Sequence, residues 1–146
     1  MNIINISHKK VIKQAQYVSV CIANDFKDGQ RLKLYGVPRG GIPCVYLVFS
    51  FLKEKYFVNA EVVEDISEAN VIIDDMTDSG KTQADCKFKN PNAKFYALFG
   101  KMHQMDWLVF PWENGLESSK RDVVNRISQM TGKTKTVIEN HLEILF

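Results

Sequence analysis

The sequence predicts an α/β fold in which helices flank a mainly parallel sheet. Short apolar runs rich in branched residues alternate with longer segments in which apolar residues recur every three or four positions. Two of the short runs end in glycine-containing polar turns that lead into predicted helices. A chain of 146 residues, of which 45% are hydrophobic and 25% charged, can form a globular domain with a buried core.

The first half of the chain is predicted to hold a helix, a strand, a second helix and a third apolar stretch. The first helix is amphipathic, with Ser7 as its expected N-cap, and Asp28-Gly29 ends it. Pro43 stands at the start of the second helix, where proline is well tolerated. The four segments cover residues 7 to about 27, 32–37, 43 to about 55, and 57–63.

The second half is predicted to hold three further strands and a helix. A strand over residues 71–73 ends abruptly in two carboxylates, and a polar turn then leads into a helix from Thr82 onward. Two more short strands cover residues 94–99 and 107–110. Ligands of such parallel sheets bind outside the carboxyl ends of the strands, which is where the two polar turns fall.

The last thirty residues are predicted to form a helical tail. Gly132 stops one helix, and the capping box Thr136-x-x-Glu139 opens a second. We expect a main domain over residues 1–116 and a C-terminal helical hairpin over residues 117–146, within the same domain or appended to it. The tail also carries basic residues around its glycine turn, so a DNA-binding helix-turn-helix is the alternative. These basic residues are Lys120, Arg121, Arg126, Lys133 and Lys135.

Charge and cysteine content exclude several classes of protein. A net charge of +2 is too small to indicate a nucleic-acid partner by itself. Cys21, Cys44 and Cys86 lack the spacing of a metal site, and their odd number does not suggest a disulfide framework. The sequence shows neither a signal peptide nor a membrane-length apolar run. We therefore expect a cytoplasmic protein with no membrane partner and without nucleic acid.

The segment from Val71 to Thr82 combines two kinds of binding chemistry. It reads Val-Ile-Ile-Asp-Asp-Met-Thr-Asp-Ser-Gly-Lys-Thr, a buried strand followed by a hydroxyl-rich turn and a helix. The turn and the helix N-terminus present backbone N–H groups that suit a phosphate. The carboxylates of Asp74 and Asp75 would repel that phosphate, so they suit sugar hydroxyls or Mg²⁺. This is the chemistry of a ribose-phosphate site.

A nucleotide-triphosphate loop is the competing interpretation of this segment, and it fails. Gly80-Lys81-Thr82 matches the end of that motif, but Asp75 stands where the motif requires a glycine. Gly132-Lys133-Thr134 fails the same test, because Ile127 occupies the glycine position.

The turn from Tyr35 to Gly41, Tyr-Gly-Val-Pro-Arg-Gly-Gly, is another informative corner. Two adjacent glycines free the backbone to approach a ligand, and Arg39 adds a cation. Taken alone, the turn is better explained as a tight strand–helix connection with a surface arginine. The ligand-binding interpretation depends on its pairing with the Val71–Thr82 segment.

The Val71–Thr82 segment resembles the phosphoribosyl-diphosphate (PRPP) binding motif of type I phosphoribosyltransferases, over twelve contiguous residues. In that family an apolar strand and two acids precede x-x-Asp-Ser/Thr-Gly-x-Thr. The resemblance implies a type I phosphoribosyltransferase-like fold and makes Arg39-Gly40-Gly41 the pyrophosphate loop, with a cis peptide between Pro38 and Arg39. The implied PRPP-binding residues are Arg39, Gly40, Asp74, Asp75, Met76, Thr77, Asp78, Ser79, Gly80, Lys81 and Thr82.

The segment from Trp107 to Glu113 is similar to the xanthine-guanine branch of the purine phosphoribosyltransferases, where an aromatic-aliphatic pair precedes Pro-Trp-Asp/Glu. By this resemblance Trp107 stacks on the purine, and backbone groups near Trp107 and Leu108 read its 2-position. Lys101 meets the 6-oxo group, and Glu113 replaces the acid near the 2-substituent. Without the flanking motifs, a core tryptophan and a solvated lysine would be the simpler interpretation.

The implied activity is that of a glycosyltransferase of the pentosyl-transferring kind in purine salvage, a part of nucleotide metabolism. Purine N9 attacks C1′ of PRPP, pyrophosphate leaves and C1′ inverts. Asp74 and Asp75 bind the ribose hydroxyls, with Asp75 nearer to Mg²⁺, and Asp78 is the general acid/base at N7. The acceptor is a 6-oxopurine such as guanine, xanthine or hypoxanthine. We also expect a homo-oligomer, a dimer or a tetramer.

One segment departs from the family pattern. Type I members carry a long mobile loop that closes over PRPP, whereas here only a short connector of about residues 61–70 is available. This connector holds four acids and neither lysine nor arginine, so it would repel a diphosphate. A non-catalytic PRPP- or nucleotide-binding regulator with a helix-turn-helix-like tail is therefore the alternative function.

Overall fold

The computed structural model describes residues 2–100 and 106–113, together with the single positions 125, 128, 129, 132, 134 and 136. The described helices are α1 (His8–Asp25), α2 (Gly41–Glu54) and α3 (Lys81–Lys89), and a short 3-10 helix covers Ile66–Glu68. The strands are β1 (Asn2–Asn5), β2 (Leu32–Gly36), β3 (Ala60–Val62), β4 (Val71–Thr77), β5 (Lys94–Gly100) and β6 (Asp106–Val109).

The chain divides into two compact units, one of residues His8–Gln104 and the other of Met1–Ser7 with Met105–Phe146. The first unit holds a four-stranded sheet in the order β3-β2-β4-β5, and in the second β1 pairs with β6. Every described strand pairing is parallel, which confirms the predicted α/β class. The predicted division between residues 116 and 117 lies outside the described residues and stays a prediction.

The core of the larger unit forms around β4. Its first three residues, Val71 to Ile73, are at most 1% exposed, as expected for a strand covered on both faces. Helix α1 packs against α2 and β5, while α3 contacts β4, β5 and the 3-10 helix. Most of the predicted apolar stripe of α1 is buried, including Val11, Ala15, Val18 and Ile22. Ile12, which was predicted to belong to it, is 46% exposed.

The described elements differ from the sequence-based expectation in four places. Strand β1 was not foreseen, because its sequence Asn-Ile-Ile-Asn shows neither alternation nor a long apolar run. The third apolar stretch forms a strand only at Ala60–Val62, since Phe57 adopts φ 54° and is 87% exposed. Helix α2 begins at Gly41, ahead of Pro43. The strand predicted to end at residue 73 continues to Thr77.

The connector between β3 and β4 is short, as predicted, and hydrogen bonds fix it in place. The buried side chain of Asn90 donates to the carbonyl oxygens of Ile66 at 2.8 Å and Ala69 at 2.7 Å. Asp65 accepts from the Ser67 backbone N–H at 2.9 Å and so caps the 3-10 helix. Asn70 accepts from the Lys33 N–H at 2.7 Å and ties the end of the connector to β2. The connector is thus built into the fold.

In the tail, positions 125, 128 and 129 are helical. Gly132 has φ 68°, and its N–H donates to the Ser128 carbonyl at 2.9 Å, so this glycine ends the helix as predicted. Of the second predicted helix only position 136 is described, and it is helical. The other residues of that helix lie outside the described residues. None of the helices in the described part of the chain is long and apolar enough to cross a membrane.

Candidate functional site

The two polar corners are neighbours because β2 and β4 are adjacent parallel strands. Gly36, the last residue of β2, lies opposite Ile73 of β4. Just beyond it, the Val37 N–H donates to the Ile73 carbonyl at 2.9 Å. Strand β2 ends there, while β4 continues to Thr77 beside β5. The turn after β2 therefore lies against Asp74 and Asp75 at the carboxyl end of the sheet, where parallel sheets bind their ligands. The structure therefore brings together two motifs that are more than thirty residues apart in the sequence.

The first corner is a tight turn between β2 and α2. The peptide bond between Pro38 and Arg39 is cis, as the family resemblance implied. The Gly41 N–H donates to the Val37 carbonyl at 2.8 Å, and the Ile42 N–H donates to the Arg39 carbonyl at 3.2 Å. Arg39 is exposed and forms no ion pair with any described residue. Its guanidinium is available to an anion.

The glycines of this corner allow the chain segments to approach closely. A Cβ at Gly36 would lie 2.6 Å from the Gly41 carbonyl oxygen, and a Cβ at Gly41 would lie 2.6 Å from the Ile73 carbonyl oxygen. A Cβ at Gly40 would lie 2.5 Å from Cγ of Asp75 and closer still to its Oδ2. Side chains at these positions would separate the first corner from β4.

Asp74 and Asp75 lie within β4 and not in the turn after it. Asp74 Oδ1 accepts the Asp75 N–H at 2.8 Å, and Asp75 Oδ1 accepts the Met76 N–H at 2.7 Å. Burial raises the pKa of Asp74 to about 7, and the neighbouring charge of Asp75 acts in the same direction. Burial raises the pKa of Asp75 as well, although hydrogen bonds to its carboxylate oppose the rise.

Cys44 is a buried group near this pair that the sequence did not single out. It lies in the first turns of α2, and its side chain is fully buried. Burial raises the pKa of its thiol, and the charges of Asp75 and Asp74 raise it further. Cys44 is therefore a neutral, apolar neighbour of the two acids and not a nucleophile. A single cysteine that is not spaced from other cysteines or histidines as in a known motif gives no sequence signal, so the place of Cys44 beside the two acids could not be predicted.

The second corner joins β4 to α3. Met76 and Thr77 are half-buried at the end of the strand, and Asp78 and Ser79 follow as exposed residues. Gly80 precedes the helix with φ 82°, a left-handed conformation that favours glycine. Ser79 Oγ accepts the Lys81 N–H at 3.4 Å, and Lys81 and Thr82 open the helix with exposed side chains. The turn therefore presents hydroxyls and a helix N-terminus to solvent.

Three of the four residues predicted to bind a base, Trp107, Leu108 and Glu113, lie in the other unit. Trp107 and Leu108 are half-buried in β6, and Lys101 lies outside the described residues. The Glu113 carboxylate accepts the Phe110 N–H at 2.9 Å, while the Glu113 N–H donates to the Phe110 carbonyl at 3.0 Å. Glu113 thus closes the turn after β6.

An unforeseen feature of this turn is Trp112. Its ring stacks on Phe110, with centroids 4.9 Å apart and planes 4° from parallel. The indole Nε1 is buried and has no hydrogen-bond partner among the described residues. The Pro-Trp dipeptide was visible in the sequence, but the burial of the indole nitrogen follows from packing and could not be foreseen.

The acid pair is the part of the site whose donors fit Mg²⁺. Carboxylate oxygens are suitable ligands, and Mg²⁺ commonly binds through one or two carboxylates together with substrate phosphates and waters. Within residues 2–100 and 106–113, no cluster of three or more His, Cys, Asp or Glu side chains could hold a metal. Asp74 and Asp75 therefore fit a magnesium ion that receives its other ligands from a substrate.

Comparison with solved structures bears on the fold. No family model matches the sequence. Among solved structures, the chain is similar to the crystal structure of purine phosphoribosyltransferase from Pyrococcus horikoshii Ot3, with a TM-score of 0.53. The two share 20% identity over 80% of this chain and 97% of that chain. This likeness confirms the predicted type I phosphoribosyltransferase-like fold.

Proposed function

We propose that the protein is a purine phosphoribosyltransferase, which transfers the 5-phosphoribosyl group of PRPP to N9 of a 6-oxopurine and releases pyrophosphate. The observation that carries this proposal is the meeting of the two corners at the carboxyl edge of β2 and β4. PRPP has a 5′-phosphate, two ribose hydroxyls and a diphosphate. The joined corners offer a helix N-terminus, two carboxylates and a free arginine, which together match these groups.

Each part of PRPP has an assigned place in the proposal. Residues 77–82 surround the 5′-phosphate with backbone N–H groups and hydroxyls. Asp74 and Asp75 accept hydrogen bonds from the 2′- and 3′-hydroxyls. The Arg39–Gly40 turn receives the diphosphate, so that the guanidinium stabilises the negative charge of the leaving pyrophosphate. The resemblance of this chain to the family motif supports these assignments, as does the exposure of Arg39.

The purine is assigned to β6 and the turn after it, with Lys101, Trp107, Leu108 and Glu113 as its contacts. A tryptophan face stacked on a base contributes about 1–3 kcal/mol by analogy with base–aromatic stacking. Asp78 accepts the proton that the base loses from N7 in the forward reaction and donates it back in the reverse reaction. Removing that proton raises the nucleophilicity of the ring as N9 attacks C1′.

Magnesium is the implied cofactor, with Asp74 and Asp75 as the residues that would hold it. When bound, it neutralises negative charge on the diphosphate. The chain's own residues orient the ribose and the leaving group around it. We also propose that the protein works as a homo-oligomer.

The test is an assay of product formation. Full-length protein, PRPP, Mg²⁺ and guanine, xanthine or hypoxanthine in turn should give the corresponding nucleoside monophosphate and pyrophosphate, detected by chromatography. Arg39→Ala should lower the rate strongly, while Arg31→Ala, a matched control whose guanidinium pairs with Glu61, should not. PRPP or nucleotide binding without turnover of any oxopurine would favour the alternative, a PRPP- or nucleotide-sensing regulator.

A further inference from the structure

Gly40 and Asp75 are in direct contact, and this contact joins the two corners. A Cβ at Gly40 would overlap Oδ2 of Asp75 and lie 2.5 Å from Cγ. Gly40 itself has φ −65° and ψ −29°, a right-handed conformation that any residue adopts. Glycine is therefore required at position 40 for space and not for its backbone conformation.

The nature of the neighbouring atoms sets Gly40 apart from the other glycines of the site. At Gly36 and Gly41 the nearest atoms are backbone oxygens, and at Gly80 nothing lies within 4 Å of a Cβ. At Gly40 the three nearest atoms all belong to the Asp75 carboxyl group. The position of the first corner thus depends on one side chain of β4.

Both oxygens of that carboxyl group are engaged within the protein. Oδ1 accepts the Met76 N–H at 2.7 Å, which fixes the side chain to its own strand. Oδ2 lies against Gly40. Because one oxygen is hydrogen-bonded to β4 and the other packs against Gly40, the carboxyl group keeps the Arg39–Gly40 turn at a set distance from β4. Loss of the group would leave a gap that the turn can enter.

We propose that Asp75 is a positioning residue for the Arg39–Gly40 turn, which it holds in the conformation that receives a diphosphate. The inference rests on the proposed function and adds to the ribose and magnesium contacts assigned to Asp75. It predicts that Asp75 affects diphosphate binding even when no magnesium and no ribose are present. It also explains why glycine occupies position 40.

The test measures binding of inorganic pyrophosphate by isothermal titration calorimetry, with full-length protein in EDTA so that no metal contributes. Asp75→Asn keeps the shape of the side chain, and its pyrophosphate Kd should stay within about threefold of wild type. Asp75→Ala removes the contact and should weaken binding about tenfold or more. Removing a negative charge near an anion would by itself tighten pyrophosphate binding in both variants. The weaker binding expected of Asp75→Ala is the opposite of this charge effect.

A double-mutant cycle tests the contact itself. Gly40→Ala should weaken pyrophosphate binding about tenfold in the wild-type background and less than threefold beside Asp75→Ala, where the Cβ has room. Gly100→Ala is the matched control, because its Cβ would lie 3.8 Å from the nearest atom, Thr77 Oγ1. Circular dichroism and thermal unfolding check that each variant is folded. If Asp75→Ala does not fold, Asp75→Ser replaces it.

The outcomes separate this inference from the proposed function. Equal effects of Asp75→Asn and Asp75→Ala would overturn the positioning role, since charge alone would then explain the data. A Gly40→Ala loss of the same size in both backgrounds would also overturn it. A wild-type protein that binds neither pyrophosphate nor magnesium–PRPP would overturn the proposed function, and the inference with it.

Discussion

At the scale of single residues, the acid pair of β4 combines strong burial with like charge. Asp74 is 7% exposed, and its carboxyl group lies beside that of Asp75. Two adjacent carboxylates with little solvent between them cannot both ionise easily, so the pair retains protons to a higher pH than an exposed acid would. A bound cation or a set of hydroxyl donors would relieve the repulsion. The pair is therefore suited to the ligands proposed for it.

This burial predicts how stability depends on pH. The pKa of Asp74 is about 7 in the folded protein and about 4 in the unfolded chain. Between these values the folded state holds a proton that the unfolded state has released. The free energy of unfolding should therefore fall as the pH rises from about 4 to about 7. Thermal unfolding of the ligand-free protein at pH 5.5 and pH 8 should show the lower midpoint at pH 8.

The matched variants for this pH effect are Asp74→Asn and Asp28→Asn. Asp74→Asn removes the titrating group and should flatten the difference between the two midpoints. Asp28 is exposed, so Asp28→Asn should leave the difference as in wild type. An unchanged pH dependence in Asp74→Asn would show that other groups cause it.

Asp78 provides the second prediction at this scale. It directly follows β4 and is exposed at the turn assigned to the phosphate. Asp78→Asn should lower turnover by about 10²–10⁴, the usual reach of general acid–base catalysis, and keep nucleotide affinity within a few-fold. Steady-state kinetics and nucleotide titration measure both quantities. Asp85→Asn, an exposed acid on α3, is the control, and a normal rate in Asp78→Asn would exclude Asp78 from the mechanism.

At the scale of elements, Asn90 ties α3 to the connector between β3 and β4. Its backbone N–H donates to the Cys86 carbonyl at 2.8 Å and so ends α3. Its side chain meanwhile donates to two connector carbonyls. Ala69 and Ile72 form a small apolar cluster with Cys86 on this side of the sheet. The connector is thus held by polar and apolar contacts together.

Asn90→Ala should destabilise the protein by about 2 kcal/mol, because it removes the side-chain donor from the buried Ala69 carbonyl and one of two donors from the Ile66 carbonyl. Urea unfolding followed by circular dichroism measures the change. Asn92→Ala, two residues further on and exposed, should stay within about 0.5 kcal/mol of wild type. Equal stabilities of the two variants would mean that the connector does not depend on the Asn90 side chain.

At the scale of the whole molecule, the connector decides how well the proposed site can exclude water. It is short, acidic and hydrogen-bonded to α3 and β2, so it can neither reach over a diphosphate nor add positive charge there. A closing loop serves to keep water from the reactive ribosyl centre. The connector of this chain cannot act as such a closing loop.

We therefore expect purine-independent hydrolysis of PRPP. Pyrophosphate release should be measurable from PRPP and Mg²⁺ alone and should compete with transfer when a purine is added. A coupled pyrophosphate assay with and without guanine measures the two rates. Arg39→Ala, which removes the cation at the leaving group, should reduce both. A wild-type protein that releases pyrophosphate only when purine is present would show that water is excluded by another part of the molecule.

The sequence by itself determined the fold class and the chemistry of both corners. The branched run at Val71 to Ile73 and the stripe on α1 reflect local periodicity, which needs no knowledge of contacts. The residue types of Asp74, Asp75 and Gly80 likewise indicate which ligands suit the end of β4 and the turn after it. Even the cis peptide before Arg39 was predictable, through the resemblance of the whole turn.

Tertiary structure determined which residues contact one another and how those contacts change their properties. Strand β1 exists because it pairs with β6, and no local pattern in Asn-Ile-Ile-Asn signals that pairing. The glycine at position 40 has an ordinary backbone conformation, so only its contact with Asp75 explains it. The pKa of Asp74 is raised because neighbouring segments exclude water from it, a property of the packed chain and not of the residue type. The sequence shows which binding groups the chain carries. The long-range pairing of β2 with β4 determines which of these groups lie next to one another.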